Sequence, residues 1–151
     1  MNQLIIRKAE PKDILSVSVL FDLYRQFYEQ APDLELAKDF IGKRISQKES
    51  IILLAELEDE VIGFCQLYPS FCSVIAAPIY VLYDLFVHPA QRGTGAGRAL
   101  LEAAEAQAKR AGIKRMDLTT AKTNATAQSL YESLGWIRDE VFFTYNRILE
   151  N

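Results

Sequence analysis

The sequence predicts one α+β domain, mixed α/β in character, on three observations. Strand-like and helix-like segments are interspersed, a run of strands occupies the middle, and one apolar strand passes through a glycine-rich turn straight into a helix. The chain has 151 residues, half of them hydrophobic and a quarter charged, enough to bury a core without staples. No repeat, low-complexity tract or Pro/Gly/Ser linker divides it, so residues 1–151 read as a single domain.

Leu4 to Arg7 reads as a short opening strand. Pro11-Lys12-Asp13 suits a helix start, and Ile14, Val17, Leu20, Phe21, Tyr24, Phe27 and Tyr28 keep helical spacing. After a break at Ala31-Pro32-Asp33, a second helix carries Leu34, Leu36, Phe40, Ile41 and Ile45. Ile51 to Glu56 and Val61 to Tyr68 read as strands joined by the acidic hairpin turn Glu58-Asp59-Glu60. Residues from Pro78 to His88 are almost continuously apolar, as a central strand should be. A helix follows from about Gly95 to Ala111, with Leu100, Leu101, Ala104 and Ala108 inward and Gly112 as its left-handed stop. Met116 to Thr120 reads as a further strand. Asn124 caps a helix that Gly135 ends, and Trp136, Val141, Phe143 and Tyr145 suggest a final pair of strands.

Composition narrows the function classes. A net charge of −3 argues against general nucleic-acid affinity and is compatible with a cationic substrate. No apolar run approaches the roughly 20 residues of a membrane helix, which argues against a membrane partner. Two cysteines, Cys65 and Cys72, lack metal-ligand spacing, and with one histidine, His88, no zinc set is expected. Two thiols and no leading targeting segment fit a reducing cytoplasm.

The stretch Val87-His88-Pro89-Ala90-Gln91-Arg92-Gly93-Thr94-Gly95-Ala96-Gly97-Arg98 is the most informative part of the chain. It sets backbone N–H groups and two guanidinium groups at the positive end of a helix dipole, a corner suited to a phosphorylated ligand. A nucleotide-hydrolase loop would need Gly-Lys-Ser/Thr, but Gly97 is followed by Arg98-Ala99. A dinucleotide fingerprint would need its third glycine one residue later, though Asp117 lies near the distance of a ribose-binding acid. A βα turn whose glycines serve packing alone is the remaining reading of the corner taken by itself.

Val-His-Pro-x-x-Arg-Gly-x-Gly-x-Gly-x-x-Leu-Leu resembles the acetyl-CoA-binding motif of the GNAT N-acetyltransferase superfamily. Asn124-x-x-Ala127-x-x-Leu130-Tyr131-x-x-Leu134-Gly135-Trp136 resembles that family's downstream helix motif, one helix and one strand later. The resemblance covers roughly residues 80–145. It implies a mostly antiparallel central sheet of about six to seven strands flanked by about four helices. It also implies that Phe86 and Val87 pair through their backbone with the pantetheine arm. Backbone N–H groups of Arg92, Gly93, Thr94, Gly95, Ala96 and Gly97, with Arg98 nearby, would surround the pyrophosphate of acetyl-CoA. Asn124 would bond the cofactor's amide portion, and Tyr131 would stand beside the thioester sulfur.

Acetyl transfer needs a neutral amine, a donor for the oxyanion and a proton for the departing thiolate. Phe86 or Val87 N–H is the oxyanion donor expected, Tyr131 the general acid, and Asp84 the candidate base, taking a proton directly or through water. Packing explains Tyr131 at its helical spacing, and a solvated strand position explains Asp84 equally well. Family members that acetylate polyamines often carry Glu-Asp where this chain has Tyr83-Asp84, a departure that weakens a polyamine assignment. Strand alternation puts Tyr83 and Asp84 on opposite faces unless a bulge intervenes. Glu29, Asp33, Asp139 and Glu140 are candidates to line an acceptor cleft. His88 reads as structural, the cysteines as packing, and Lys109, Arg110, Lys114 and Arg115 as an answer to a helix dipole. The expected function is transfer of acetyl from acetyl-CoA, with no metal, to a primary amine of a small cationic molecule, by direct attack in a ternary complex. Alternatives are a protein lysine or N-terminal acetyltransferase and a non-catalytic acyl-CoA-binding module. A homodimer pairing its C-terminal strands is compatible with either.

Overall fold

The computed structural model describes residues 3–150, which form two compact units meeting in sequence between Thr119 and Thr120. In the first unit, β1 (Leu4–Lys8) leads through a 3-10 turn at Pro11–Asp13 into α1 (Ile14–Phe27), and α2 (Leu34–Ser46) follows. Then come β2 (Ile51–Leu57), β3 (Glu60–Cys72), β4 (Ala77–Val87), a 3-10 turn at Pro89–Gln91, α3 (Ala96–Arg110) and β5 (Met116–Asp117). The strands lie in one sheet in chain order, antiparallel from β1 to β4, with β5 parallel to β4. The mixed α/β class holds with its four helices, α4 in the second unit included. The sheet has five strands among the described residues, not six to seven.

Alternation sorts the strand residues onto two buried faces. On one, Ile52, Leu54, Phe64 and Phe86 meet Val17, Leu20 and Phe21 of α1 and Ala37 and Ile41 of α2. Rings continue the packing, with Phe21 and Phe40 stacked at 5.3 Å and Tyr24 edge-on to Phe86 at 6.1 Å. On the other, α3 packs on β2, β3 and β4 and buries Leu100, Leu101, Ala104 and Ala108. Each fully buried Leu or Phe contributes about 1.5–3 kcal/mol.

Polar clamps set where the helices begin. Arg7 reaches Asp13 through both terminal nitrogens, at 2.8 and 2.7 Å, and Glu56 at 2.5 Å, tying β1, β2 and the entry to α1. The guanidinium holds the buried Asp13 carboxyl below the ordinary carboxylate range. At the next entry, Asp33 caps α2 by accepting from the Leu36 N–H at 3.1 Å, and the buried Asp22 carboxylate accepts from the Asp33 N–H at 2.9 Å. The β2–β3 hairpin turns at Glu58 and Asp59, both at positive φ, as a two-residue hairpin turn of the primed type requires.

All four helices stop the same way. In α3, the Ile113 N–H bonds the Ala108 carbonyl and the Gly112 N–H bonds that of Lys109, a Schellman stop with Gly112 at φ +74°. In α1 the left-handed position is Glu29, so this residue is the helix stop of α1.

The second unit holds α4 (Ala125–Ser133). Asn124 caps it through Oδ1, which accepts from the Ala127 N–H at 3.2 Å. Its end is a Schellman stop on Gly135, in which the Trp136 N–H bonds the Tyr131 carbonyl at 3.1 Å. Residues 137–150 carry no regular secondary structure, which corrects the expected final pair of strands. The apolar alternation there is broken by Phe142, whose N–H goes instead to the Asp139 carboxylate at 2.8 Å, a local bond that competes with strand pairing.

Candidate active site

Strand β4 positions the site. On one side it pairs with β3 along its length, whereas on the other β5 pairs only with Tyr80 and Val81. Beyond Val81, its backbone N–H and C=O groups face no strand on that side among the described residues. The β3 side fits closely. A Cβ on Gly63 would meet the Phe86 carbonyl oxygen at 3.0 Å, so a side chain there would need that oxygen to give by a few tenths of an ångström, and the Phe86 backbone turns to β3 rather than to the open edge.

A bulge lies in the same stretch. Gln66 pairs with Asp84 and Leu67 with Leu82, leaving Tyr83 as the extra residue. The Tyr83 ring meets that of Tyr68 at 5.7 Å, and Tyr68 shares a strand face with Gln66, the partner of Asp84. The bulge therefore brings Tyr83 and Asp84 to the same face, that of α1, where plain alternation separates them. From α1, the Tyr24 hydroxyl donates to the Tyr83 carbonyl at 3.0 Å, with the Asp84 carboxylate as a competing acceptor.

Asp84 is 3 % exposed and sits at the end of a polar chain. The Ser50 hydroxyl donates to Gln66 Oε1 at 2.6 Å, which turns the amide so that its Nε2 donates to Asp84 Oδ2 at 2.5 Å. Burial pushes the Asp84 carboxyl up to about 6, against the opposing pull of the Gln66 and Tyr24 hydrogen bonds. Burial, and then the Asp84 charge, holds the Tyr24 hydroxyl well above the usual phenol range. The arrangement yields a carboxyl that changes protonation near neutrality. Such a group is suited to taking a proton.

Past β4 the chain turns through His88, whose Nδ1 accepts from the Ala90 N–H at 3.1 Å, in keeping with a structural histidine. Gly93 and Gly95 stand at φ +89° and +85°, and a Cβ on either would meet nothing within 4 Å. The turn therefore needs glycine for its left-handed backbone, and their surroundings are open. Gly95 is the N-cap of α3. Thr94 donates through Oγ1 to the Gln91 carbonyl at 2.9 Å, bracing the loop. The first N–H groups of α3, from Ala96 and Gly97, have no carbonyl partner within the helix, and its dipole adds positive potential there. Arg92 folds back with Nε on the Val87 carbonyl at 3.3 Å and its guanidinium over the Phe86 ring. Arg98 pairs with Glu102 at 3.3 Å. A left-handed glycine turn, a helix N-terminus and two arginines suit the diphosphate of a CoA thioester.

The family model for the GNAT acetyltransferases matches residues 17–136, most of the chain. The chain belongs to the GNAT acetyltransferase family. Among its relatives, the uncharacterised N-acetyltransferase YhfO of Bacillus subtilis strain 168 is 46% identical over 140 residues, 93% of this chain and 94% of YhfO. A crystal structure of a probable acetyltransferase superposes with a TM-score of 0.90 at 34% identity, over 97% of this chain and 99% of that one. The fold is also that of an aminoglycoside N-acetyltransferase solved in complex with CoA, with a TM-score of 0.82 at 17% identity, covering 97% and 96% of the two chains.

In this acetyltransferase the sequence-chosen residues divide between the units. Asp84, Phe86, Val87 and the whole run from Arg92 to Arg98 belong to the first, and Asn124 and Tyr131 to the second. Tyr131 is half-buried, and its ring lies 6.2 Å from that of Trp136 across the Schellman stop of α4, so the stop fixes where it sits on its helix. Three of the four candidate cleft carboxylates make local bonds: Asp33 caps α2, Asp139 holds the Phe142 N–H, and Glu140 pairs with Arg138 at 3.0 Å. Cys65 is buried with its thiol pushed up to about 12, which fits packing. Sequence reading missed Gln66, Ser50 and Tyr24. Gln66 signals itself only as a polar residue inside an apolar strand, and its duty is set by a residue 18 positions away.

Gln66→Met keeps the side-chain length and removes the amide donor that favours the charged form of Asp84. The Asp84 midpoint in a carbon-detected NMR titration should move above about 6. An unchanged midpoint would show that the Gln66 bond does not set the charge state of Asp84.

Proposed function

We propose that this acetyltransferase moves the acetyl group of acetyl-CoA to a primary amine of a small cationic molecule, by direct attack in a ternary complex. The observation that carries the reading is the buried Asp84 carboxyl, poised near neutrality on the α1 face of a strand whose far edge is unpaired. Acetyl-CoA, once bound, supplies an activated acyl carbon and a thiolate leaving group. The chain's own residues do the rest. Backbone groups of Val87, on the open edge, take the pantetheine arm, whereas those of Phe86 turn to Phe64 of β3, and N–H groups from Arg92 to Gly97, with Arg98, take the diphosphate. Asn124, whose Oδ1 is committed to its cap, offers its NH2 to the cofactor's amide portion. Asp84 draws a proton from the acceptor ammonium, directly or through water, and Tyr131 gives one to the thiolate. The negative net charge favours a cationic acceptor.

A reducing cytoplasmic setting is supported by two free thiols, and among the described residues no helix is long and apolar enough to cross a membrane. A homodimer is supported by the tail, where Ile137, Val141, Phe142, Phe143, Tyr145, Ile148 and Leu149 are 78–93% exposed. So much exposed apolar surface is unusual on a monomer.

Thiol release from acetyl-CoA across an amine panel tests the activity, and binding without release would leave only an acyl-CoA-binding module. Tyr131→Phe should lower kcat by about 100-fold or more while sparing the KM for acetyl-CoA. Wild-type kcat/KM should rise with pH through about 6, as Asp84 ionises. Asp84's pKa is raised by folding, so its protonation favours the fold below the unfolded value near 3.9, and that stability is lost as pH rises through about 6. Asp84→Asn should therefore be almost inactive yet melt higher than wild type at pH 8. Retained activity, or a lower melting temperature, would remove Asp84 from the role. Light scattering should give twice the 17.1 kDa chain mass, and a monomer at 100 µM, on the order of a hundred times an interface Kd of about 1 µM, would end the dimer proposal.

A further inference from the structure

Four tyrosines meet beside Asp84. Tyr24 is the joint. Its ring lies 5.2 Å from that of Tyr28 on α1, and its hydroxyl reaches the Tyr83 carbonyl of β4. Tyr83 in turn stands edge-on to Tyr68 of β3 at 5.7 Å. Tyr28 and Tyr83 are 44% and 65% exposed, so both are presented to solvent on the face to which the β4 bulge turns the buried Asp84. Glu49, which lies close enough to influence the Tyr68 hydroxyl, is bound by Arg44 at 2.9 Å.

This face sets aromatic residues over one buried anionic centre. The carboxylate and the negative ring faces both attract an ammonium head, and the rings then offer apolar contact to whatever body the head carries. A second cationic centre further along an extended ligand would meet rings and a carboxylate already paired with arginine.

We propose that Tyr24, Tyr28, Tyr68 and Tyr83 form the acceptor subsite, and that it takes a primary amine with one cationic head on an aromatic or apolar body. This rests on the transferase reading above and narrows its substrate class. Tyr83 acts as a specificity determinant because the bulge displaces it onto the acceptor face, and Tyr24 positions it through the carbonyl bond.

The test is thiol release with phenethylamine, hexylamine, spermidine, a lysine peptide and an aminoglycoside, on wild type and on Tyr83→Ala, Tyr28→Ala and Tyr83→Phe. The expected result is kcat/KM at least ten-fold higher for phenethylamine or hexylamine than for spermidine. Tyr83→Ala and Tyr28→Ala should raise the KM for the preferred amine at least five-fold, with the KM for acetyl-CoA unchanged, and Tyr83→Phe, which keeps the ring, should bring the amine KM back from the Tyr83→Ala value. Preference for spermidine or the aminoglycoside, or alanine variants with an unaltered amine KM, would overturn the subsite while leaving the transferase reading intact, and preference for the peptide would overturn both the subsite and the small-molecule acceptor. No release with any amine would overturn both.

Discussion

Two neighbours of unequal length shape strand β4. Its pairing with β3 runs to Val87, while its pairing with β5 stops at Val81 and Asp117. A strand inside a sheet ordinarily has both edges satisfied, and buried backbone groups left without partners cost free energy. The far half of β4 consequently offers a row of backbone groups to whatever enters beside it. The left-handed glycines at 93 and 95 and the start of α3 follow at once in the chain, so an extended ligand lying along β4 can reach the helix N-terminus with its anionic end.

The bulge at Tyr83 gives the other face its chemistry. Without the extra residue, Tyr83 and Asp84 would point to opposite sides of the sheet, and one would be lost among the side chains beneath α3. With it, both face α1, and the Tyr24 hydroxyl and the Gln66 amide converge on the same few atoms. A carboxyl that is 3 % exposed is costly to ionise, which opposes stability at neutral pH. The fold reduces that cost with oriented donors, and among the described residues no cation stands at hydrogen-bond distance, which leaves the group near the point where it can exchange a proton.

Local signals in the sequence translated well. The glycines after β4, the Asn124 cap and the stops at Gly112 and Gly135 each depend on a few neighbouring residues, and each is where the spacing puts it. The family resemblance rested on those same segments. What sequence could not supply depends on register between distant strands. The bulge becomes visible only when Gln66 and Leu67 are laid against β4, and the clamp of Arg7 on Glu56 joins residues 49 apart. Gln66 is in sequence only a polar residue within an apolar strand, and Ser50, 16 positions away, fixes which way its amide points. The tail misled because alternating apolar residues describe a strand only when a partner edge is available, and a local Asp139 bond takes the N–H that such a ladder would need.

The central claim is that the open edge of β4 and the glycine turn after it together receive a CoA thioester. Backbone-amide NMR during a titration with acetyl-CoA addresses it most directly, since each N–H reports for itself. The account requires the largest shifts at Val87, Gly93, Gly95, Ala96 and Gly97. Saturable shifts confined to other parts of the chain, with these amides unmoved, would contradict it.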